Sequence, residues 1–561
     1  MSQSATTRQP FPIGESDFRK LRENHKRYID KSLFIKDVIN ASHEVLLLPR
    51  PRRFGKTLNL SMLRYFFENN DEDYSRLFDG LAIRQDDVFQ EHQGRYPVIY
   101  LTFKDVKGTH WKNVYAGVCS LISKEIYRHR GILNWDEMPD IFRETLEALM
   151  NKRASERDYE ESLQLLCEWL HRYYQEKVVI LIDEYDAPIL SGYANGYYDE
   201  VVNFMRNFLS GGLKDNEYLF KGVLTGILRI ARESIFSGLN NPGVYTVLDK
   251  QFRDAFGFRD DEVQALLDEY GLIDHSDEVA YWYNGYRFGD TVMYNPWSVL
   301  NYIANEGERP ELYWANTGNP EIIETAVTRG GSELRTELEA LMAGNAIEKP
   351  VYDNIIVRNL DTQDDLVWSL LLFSGYLKPV EEVAFARYRL QIPNHEVLMI
   401  FHQLVQTWFA KRVESNLLED MLEALQVGDV TGFERLLRRI VLQIVSYHDL
   451  SGEPEKVYHA LVLGMLVWLA HKYEIRSNRE SGYGRYDLML KPNDVTQRGI
   501  IIEFKQVYDD EKPEDVVKEA LQQIEKKRYA AELEAAGIQH ILKLAIAFKG
   551  KELWVQEGNG Q

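Results

Sequence analysis

The sequence predicts an α/β protein: a parallel-sheet region first, then a helical, aromatic-rich middle, then a second α/β region. Three observations predict it. An apolar run at 45–48 leads into a loop ending Gly55-Lys56-Thr57 and then into a helix with apolar periodicity. A second apolar run, at 178–182, ends in Asp183-Glu184. A third region alternates with period two at 486–490 and precedes an apolar run at 499–505 that carries Glu503 and Lys505.

At 561 residues the chain is too long for one core, and at about 100–200 residues per domain roughly three or four units are expected. The composition, 45% hydrophobic and 27% charged, is that of a soluble globular chain. A net charge of −21 excludes a general nucleic-acid coat. A nucleic-acid site must then be a local basic patch or a cleft screened by metal. Cys119 and Cys167 sit in apolar-patterned stretches, read as core residues and suit a reducing compartment. The N-terminal MSQSATTRQP lacks the apolar core of a signal peptide. The longest strongly apolar run, 460–470, falls short of the ~20 residues that span a bilayer and reads as a buried helix. The expectation is a cytoplasmic protein without a membrane partner.

The first element is the strand Val45, Leu46, Leu47, Leu48, followed by Pro49-Arg-Pro-Arg-Arg-Phe-Gly-Lys-Thr57 and a helix through Leu58, Leu60, Met62, Leu63 and Phe66. Strand, loop ending Gly-Lys-Thr, helix is the setting of a phosphate loop. Backbone N–H groups at the helix start meet phosphates, where the dipole also favours anions. Lys56 would reach the β/γ oxygens, and the Thr57 hydroxyl would ligate Mg²⁺. The first consensus glycine is replaced by Arg50, flanked by Pro49 and Pro51, which supply no N–H. The loop entry must therefore differ, and Arg52, Arg53, Phe54, Gly55, Lys56 and Thr57 are left to bind ATP.

The second strand, 178–182, ends in Asp183-Glu184. Asp183 suits Mg²⁺, and Glu184 can orient and deprotonate an attacking water, the Walker B arrangement of additional-strand ATPases. Stretches 97–103 and 218–225 read as further strands, with helix-forming sequence between them. Thr225 ends the latter and is a candidate γ-phosphate sensor; Arg229 is a candidate cation for the transferring phosphoryl group.

The motifs Phe11-Pro-Ile, Asp17-Phe, Tyr28-Ile-Asp-Lys-Ser32, Arg50-Pro-Arg-Arg-Phe-Gly-Lys-Thr57, Asp183-Glu-Tyr-Asp186 and Ile235-Phe-Ser-Gly-Leu-Asn-Asn241 resemble the bacterial AAA-ATPase-like family. Tyr283-Asn-Gly-Tyr-Arg-Phe-Gly289 and Tyr294-Asn-Pro-Trp-Ser298 extend the resemblance. It implies that the missing glycine is a family trait, since such loops read RPRRFGK[ST]. It also implies a STAND-type ATPase followed by a PD-(D/E)XK domain. Tyr28-Ile-Asp-Lys would form a lip on the adenine side, or simply pack.

The region 253–343 reads as helical, with Trp282, Trp297 and Trp314 more in keeping with core than with a ligand platform. A helix at 366–373, a hairpin over 375–392 and a helix at 396–409 capped by Pro393-Asn394 resemble a winged helix. It is not notably basic, which favours an intramolecular role over DNA binding.

After a helix expected over 456–473, Tyr486, Leu488 and Leu490 alternate with Asp487 and Met489. Asp487 precedes Glu503 by 16 residues (503 − 487), a hairpin spacing, and Glu503 and Lys505 share a strand face. Pairing would bring the three together. Two carboxylates with the Phe504 backbone carbonyl make an oxygen-rich Mg²⁺ site, open to Mn²⁺ as well. Lys505 would orient the attacking water or stabilise developing charge. Charges that interrupt an apolar strand need a reason to be there. The resemblance to PD-(D/E)XK nucleases adds a helix carrying Gln523, facing the catalytic strand, and Tyr529, packing. It also adds Glu455 as an extra metal-binding acid, although a helix-start acid would look the same. A strand at 541–548 is expected to close the sheet, and the acidic run Asp509, Asp510, Glu511, Glu514, Asp515 reads as a solvated helix start.

The expected architecture is a P-loop parallel-sheet ATPase (11–250), a helical lid (251–345), a winged-helix-like linker (346–450) and a C-terminal α/β PD-(D/E)XK nuclease fold (451–561). The expected cofactors are ATP and Mg²⁺. The expected partner is nucleic acid, DNA before RNA, and the pattern leaves room for a homo-oligomer. The competing reading is a STAND-like signalling or partner-binding ATPase whose nuclease fold only binds.

Overall fold

A computed structural model describes residues 9–230, 242–314, 332–342, 344–354, 365–410, 415–444 and, from 458 to 558, all but 459–460, 463, 470–471, 478–479 and 482–483. The chain divides into two compact units, Met1–Ile323 with Glu348–Val397, and Glu324–Ile347 with Leu398–Gln561.

The first unit is built on five parallel strands: β1 (Val45–Pro49), β2 (Val98–Thr102), β3 (Val178–Asp183), β4 (Leu219–Gly226) and β5 (Gly243–Val244). Their order is β2-β3-β4-β1-β5. β1 and β3 are buried along their whole length, which is why both read as unbroken apolar runs. β4 lies between them, the additional-strand order expected from the Asp-Glu pattern. The register sets Leu48 beside Thr225 and Thr102 beside Asp183, so the polar residues of adjacent strands meet at one end of the sheet. In open α/β sheets this carboxyl edge is where ligands are held. The edge strand β2 is covered by side chains: Glu125 accepts the Tyr100 amide at 2.8 Å and His129 lies 3.1 Å from the Val98 carbonyl.

Downstream, the helices Asp260–Tyr270, Ser276–Tyr283 and Pro296–Ala304 share an apolar core that includes Val263, Leu266, Val279, Tyr283 and Tyr302. The expected run of helix is broken by a hairpin, β6 (Tyr286–Phe288) and β7 (Thr291–Met293). β-forming triplets flank Gly289, whose φ of +56° a glycine adopts most readily. The winged-helix-like pattern takes shape as helix Leu366–Ser374, antiparallel β9 (Lys378–Ala384) and β10 (Arg387–Gln391), and helix His395–Ala410. β8 (Ile347–Pro350) adds a third strand, and Asn394 Oδ1 accepts the Val397 amide at 3.0 Å as the helix cap.

The second unit holds helices Ser415–Val427 and Val430–Ile444, a small hairpin of β12 (Glu480–Ser481) and β13 (Gly484–Arg485), and a five-stranded mixed sheet. The sheet order is β11-β14-β15-β16-β17, from Tyr473–Ser477, Leu488–Pro492, Gly499–Gln506, Ile541–Lys549 and Glu552–Glu557. β14 and β15 pair antiparallel with Leu488 opposite Ile502, the hairpin expected. The helix expected to reach 473 stops short. A 3-10 turn lies at Val467–Leu469 and Tyr473 opens β11, whose Tyr-Glu-Ile-Arg-Ser alternation suits a strand. Nor does the strand at 541 close the sheet. Gly550 turns the chain at φ +58° and β17 forms the edge beyond β16. One face of the sheet packs Leu488, Ile500, Ile502 and Phe504 with Leu418, Met421 and Leu437. On the other face Tyr486, Met489 and Ile501 pack with Ile524 of helix Pro513–Lys526. Glu503 and Lys505 follow Ile501 on this second face by period two.

Candidate functional sites

At the carboxyl edge of the first sheet, Gly55 caps helix Lys56–Phe67 with φ +85°. Lys56 is buried, and its Nζ donates to the carbonyls of Arg50 (3.0 Å) and Pro51 (2.9 Å). The Asp183 carboxylate accepts the Thr57 hydroxyl on Oδ2 and the Thr225 hydroxyl on Oδ1, both at 2.7 Å, and so joins β3 to β4 and to the helix after β1. Glu184 stands next to it in a left-handed conformation, φ +50°. Burial draws Lys56 below its ordinary value and pushes Glu184 above its own, and their opposite charges act against both shifts. A cavity of about 620 Å³ opens here, lined by Arg52 to Thr57 and Glu184, with Tyr28, Ile29 and Lys31 also on its wall. Its volume is in the range of small-molecule sites.

Arg50, where a glycine would stand, is fully buried. Its guanidinium donates to the carbonyls of Pro49, Tyr245 and Phe252 and lies over the rings of Phe256 and Phe288. It is an anchor that ties the loop entry to the segment after β5. Arg229 is not on the cavity wall; its guanidinium pairs with Asp353.

In the second unit, Asp487, Glu503, Lys505 and Gln523 meet. Asp487 Oδ2 accepts the Phe504 amide at 2.8 Å. Glu503 is 1% exposed; its Oε1 accepts from Gln523 Nε2 and lies 3.6 Å from Lys505 Nζ. Among the described residues, Glu503 Oε2 is buried without a hydrogen-bond partner. Burial first, and then the charge of Asp487, hold the Glu503 carboxyl well above the ordinary carboxylate range. Two adjacent carboxylates, one of them buried with an orphaned oxygen, fit a hard cation better than they fit each other. Among the described residues no three His, Cys, Asp or Glu side chains cluster to hold an ion. Tyr529 packs against Tyr486 and its hydroxyl also lies 3.2 Å from Gln523 Nε2. Glu455 and the 235–241 motif lie outside the described residues.

Residues 12–236 match the family model described as "Predicted AAA-ATPase", and residues 453–558 match one of the PD-(D/E)XK nuclease superfamily. The chain carries an AAA-ATPase-like domain and a PD-(D/E)XK nuclease-superfamily domain. A protein of Azotobacter chroococcum mcd 1, described as the uncharacterized protein in the vnfD 5' region, is 26% identical over 542 residues, 95% of each chain.

In the AAA-ATPase-like domain the structure adds residues that the sequence reading left without a role. Asp186, fully buried, accepts the amides of Ile227 (2.8 Å) and Leu228 (2.9 Å), and the Tyr185 hydroxyl donates to the Leu228 carbonyl at 2.7 Å. The second half of Asp183-Glu-Tyr-Asp186 thus shapes the turn after Thr225. Its signal was the tetrad itself, of which only the first two acids had been given chemistry. Lys104 and Lys107 also line the cavity. They follow the end of β2, the position at which a parallel sheet presents ligand groups.

Proposed function

We propose that the first unit binds and hydrolyses ATP with Mg²⁺, and that the C-terminal domain is a metal-dependent phosphodiesterase on nucleic acid gated by the nucleotide state. One observation carries the second half. The buried Glu503, with its orphaned oxygen, stands beside Asp487 and Lys505 on one sheet face, and Gln523 reaches it from helix Pro513–Lys526.

For the nucleotide, Arg52 to Thr57 would present amides to the phosphates, and Lys56 would exchange its two carbonyl partners for phosphate oxygens. Thr57 and Asp183 would hold Mg²⁺. Thr225 bridges Asp183 to β4 and would report the γ-phosphate, and Glu184 would take the proton of the attacking water. Arg229 would join only after leaving Asp353.

At the other site Asp487, Glu503 and the Phe504 carbonyl would hold Mg²⁺ or Mn²⁺, with Glu455 as a further candidate acid. A bound metal there supplies a more acidic water and a Lewis acid for the phosphodiester. Gln523 donates to Glu503 and fixes which carboxylate oxygen remains free. Lys505, 28% exposed, is the charge available to a substrate oxyanion. Among the described residues no helix is long and apolar enough to cross a membrane. We place the protein in the cytoplasm, with DNA before RNA as substrate and the boundaries 11–250, 251–345, 346–450 and 451–561 for its parts.

The test is cleavage of labelled single- and double-stranded DNA and RNA across Mg²⁺ and Mn²⁺, with and without ATP. Wild type should cut, and Glu503→Ala and Lys505→Ala should not. A wild type that cuts nothing under any of these conditions leaves a nucleotide-dependent binding switch, the reading that the net charge of −21 favours.

A further inference from the structure

Ordinary phosphate loops use glycines where the backbone turns left-handed or comes close to phosphate. This loop keeps Gly55 but has arginines and prolines before it, and Arg53 adopts φ +66°, a region that favours glycine. Side chains from downstream hold it. The Arg53 guanidinium lies 4.1 Å from the centre of the Trp297 ring. The Arg52 carbonyl accepts from Trp314 Nε1 at 3.1 Å. Both tryptophans are themselves fixed. Trp297, at the start of helix Pro296–Ala304, donates its Nε1–H to the Tyr313 carbonyl at 3.0 Å. The Trp314 amide donates to the buried Glu396 at 2.7 Å. Pro51 is packed as closely, since a Cβ placed on Gly375 would come within 2.8 Å of its ring.

Two consecutive loop residues, Arg52 and Arg53, are therefore held by Trp314 and Trp297. We propose that Trp297 and Trp314 are positioning residues of the nucleotide site, holding the phosphate loop in its binding-ready shape. The proposal rests on reading the cavity as a nucleotide site. It explains why a loop without its first glycine can still present its amides, and why the tryptophans lie so close to it. It also makes the helix Pro296–Ala304 a direct reader of loop occupancy, because a phosphate that draws Arg53 off Trp297 alters the packing of that helix.

The experiment uses the full chain and two readouts: the dissociation constant of a fluorescent ATP analogue with Mg²⁺, and hydrogen exchange of amides 52–57 without nucleotide. Trp297→Leu should weaken binding about fivefold to thirtyfold, about 1–2 kcal/mol at 1.4 kcal/mol per decade, and speed loop exchange. Turnover of bound ATP should stay within about threefold, and Trp297→Phe should recover much of the affinity. In an Arg53→Gly background the left-handed position no longer needs the ring, so Trp297→Leu should then cost less than about twofold. An equal cost in both backgrounds, or unchanged exchange in Trp297→Leu, overturns the proposal and leaves Trp297 a packing residue. If Trp297→Leu fails to fold, Trp314→Phe decides. It keeps a ring and loses only the N–H, so faster exchange at 52–53 sustains the proposal and unchanged exchange overturns it. If the wild type binds no nucleotide, the nucleotide reading falls and the exchange data alone decide whether the tryptophans hold the loop.

Discussion

Glu396→Gln should make the first unit more stable at pH 8 and leave it unchanged at pH 5. Glu396 is fully buried in the first turn of helix His395–Ala410. Its oxygens accept from Trp314 N (2.7 Å) and Ser298 Oγ (2.8 Å), and no cation pairs with it among the described residues. Burial pushes its carboxyl up to about 7 from an ordinary 4.5, against the pull of those hydrogen bonds. Among the described residues, Tyr283, Tyr286 and Tyr313 face it, and burial keeps them neutral over this range. The folded pKa is raised, so the folded form holds the proton more tightly than the unfolded one. The stability this contributes is complete below about pH 4.5 and is lost as pH rises through 7. The shift from 4.5 to about 7, at 1.36 kcal/mol per unit, sets a ceiling of about 3 kcal/mol. Glutamine keeps the shape and an acceptor for Trp314, and Ser298 can accept from its amide. Urea unfolding of both forms at pH 5 and pH 8 measures the difference. A glutamine variant no more stable than wild type at pH 8, or a gain equal at both pH values, would refute the reasoning.

Further outcomes follow from the two sites. Lys56→Ala should abolish nucleotide binding, and Glu184→Gln should bind ATP but turn it over at least ~100-fold more slowly, the scale of a lost general base, in a phosphate-release assay. Thr225→Val removes one of the two hydroxyls on Asp183 and should slow hydrolysis about tenfold with little change in nucleotide affinity, read as a kcat-against-KM split. Gly226→Ala should lower the thermal midpoint of the first unit, since the new Cβ would lie 2.5 Å from Asp186 Oδ1; an unchanged midpoint would mean the turn can shift. Glu503→Ala and Lys505→Ala should each eliminate metal-dependent cleavage while ATP hydrolysis persists, and only the first should lose bound Mn²⁺ in a titration.

The candidate residues of both sites could be picked out in the chain. Strand ends bearing Gly55-Lys56-Thr57 and Asp183-Glu184 could be read because a doubly covered parallel strand is written as an unbroken apolar run, and a charge that ends it stands out. Glu503 and Lys505 stood out on β15 for the same reason. The extra strands β11 and β17 were harder to read. Tyr473 follows the apolar run 460–470 after only His471 and Lys472, so periodicity alone ran the helix into it, and β17 is an edge strand whose alternation is half exposed.

The sequence by itself determined which residues could carry phosphate and metal chemistry, and which strands would present them, because strand burial and side-chain alternation are local properties of the chain. Only the tertiary structure decided what stands against those residues. Arg50 became an anchor because Tyr245 and Phe252 supply carbonyls some 200 positions away, and Arg229 went to Asp353 instead of the cavity wall. The left-handed Arg53 is held by Trp297, and Asp183 on β3 joins Thr57 of the helix after β1 to Thr225 on β4. Such partners are set by strand order and packing, and residues far apart in the chain meet only when the whole unit buries its core.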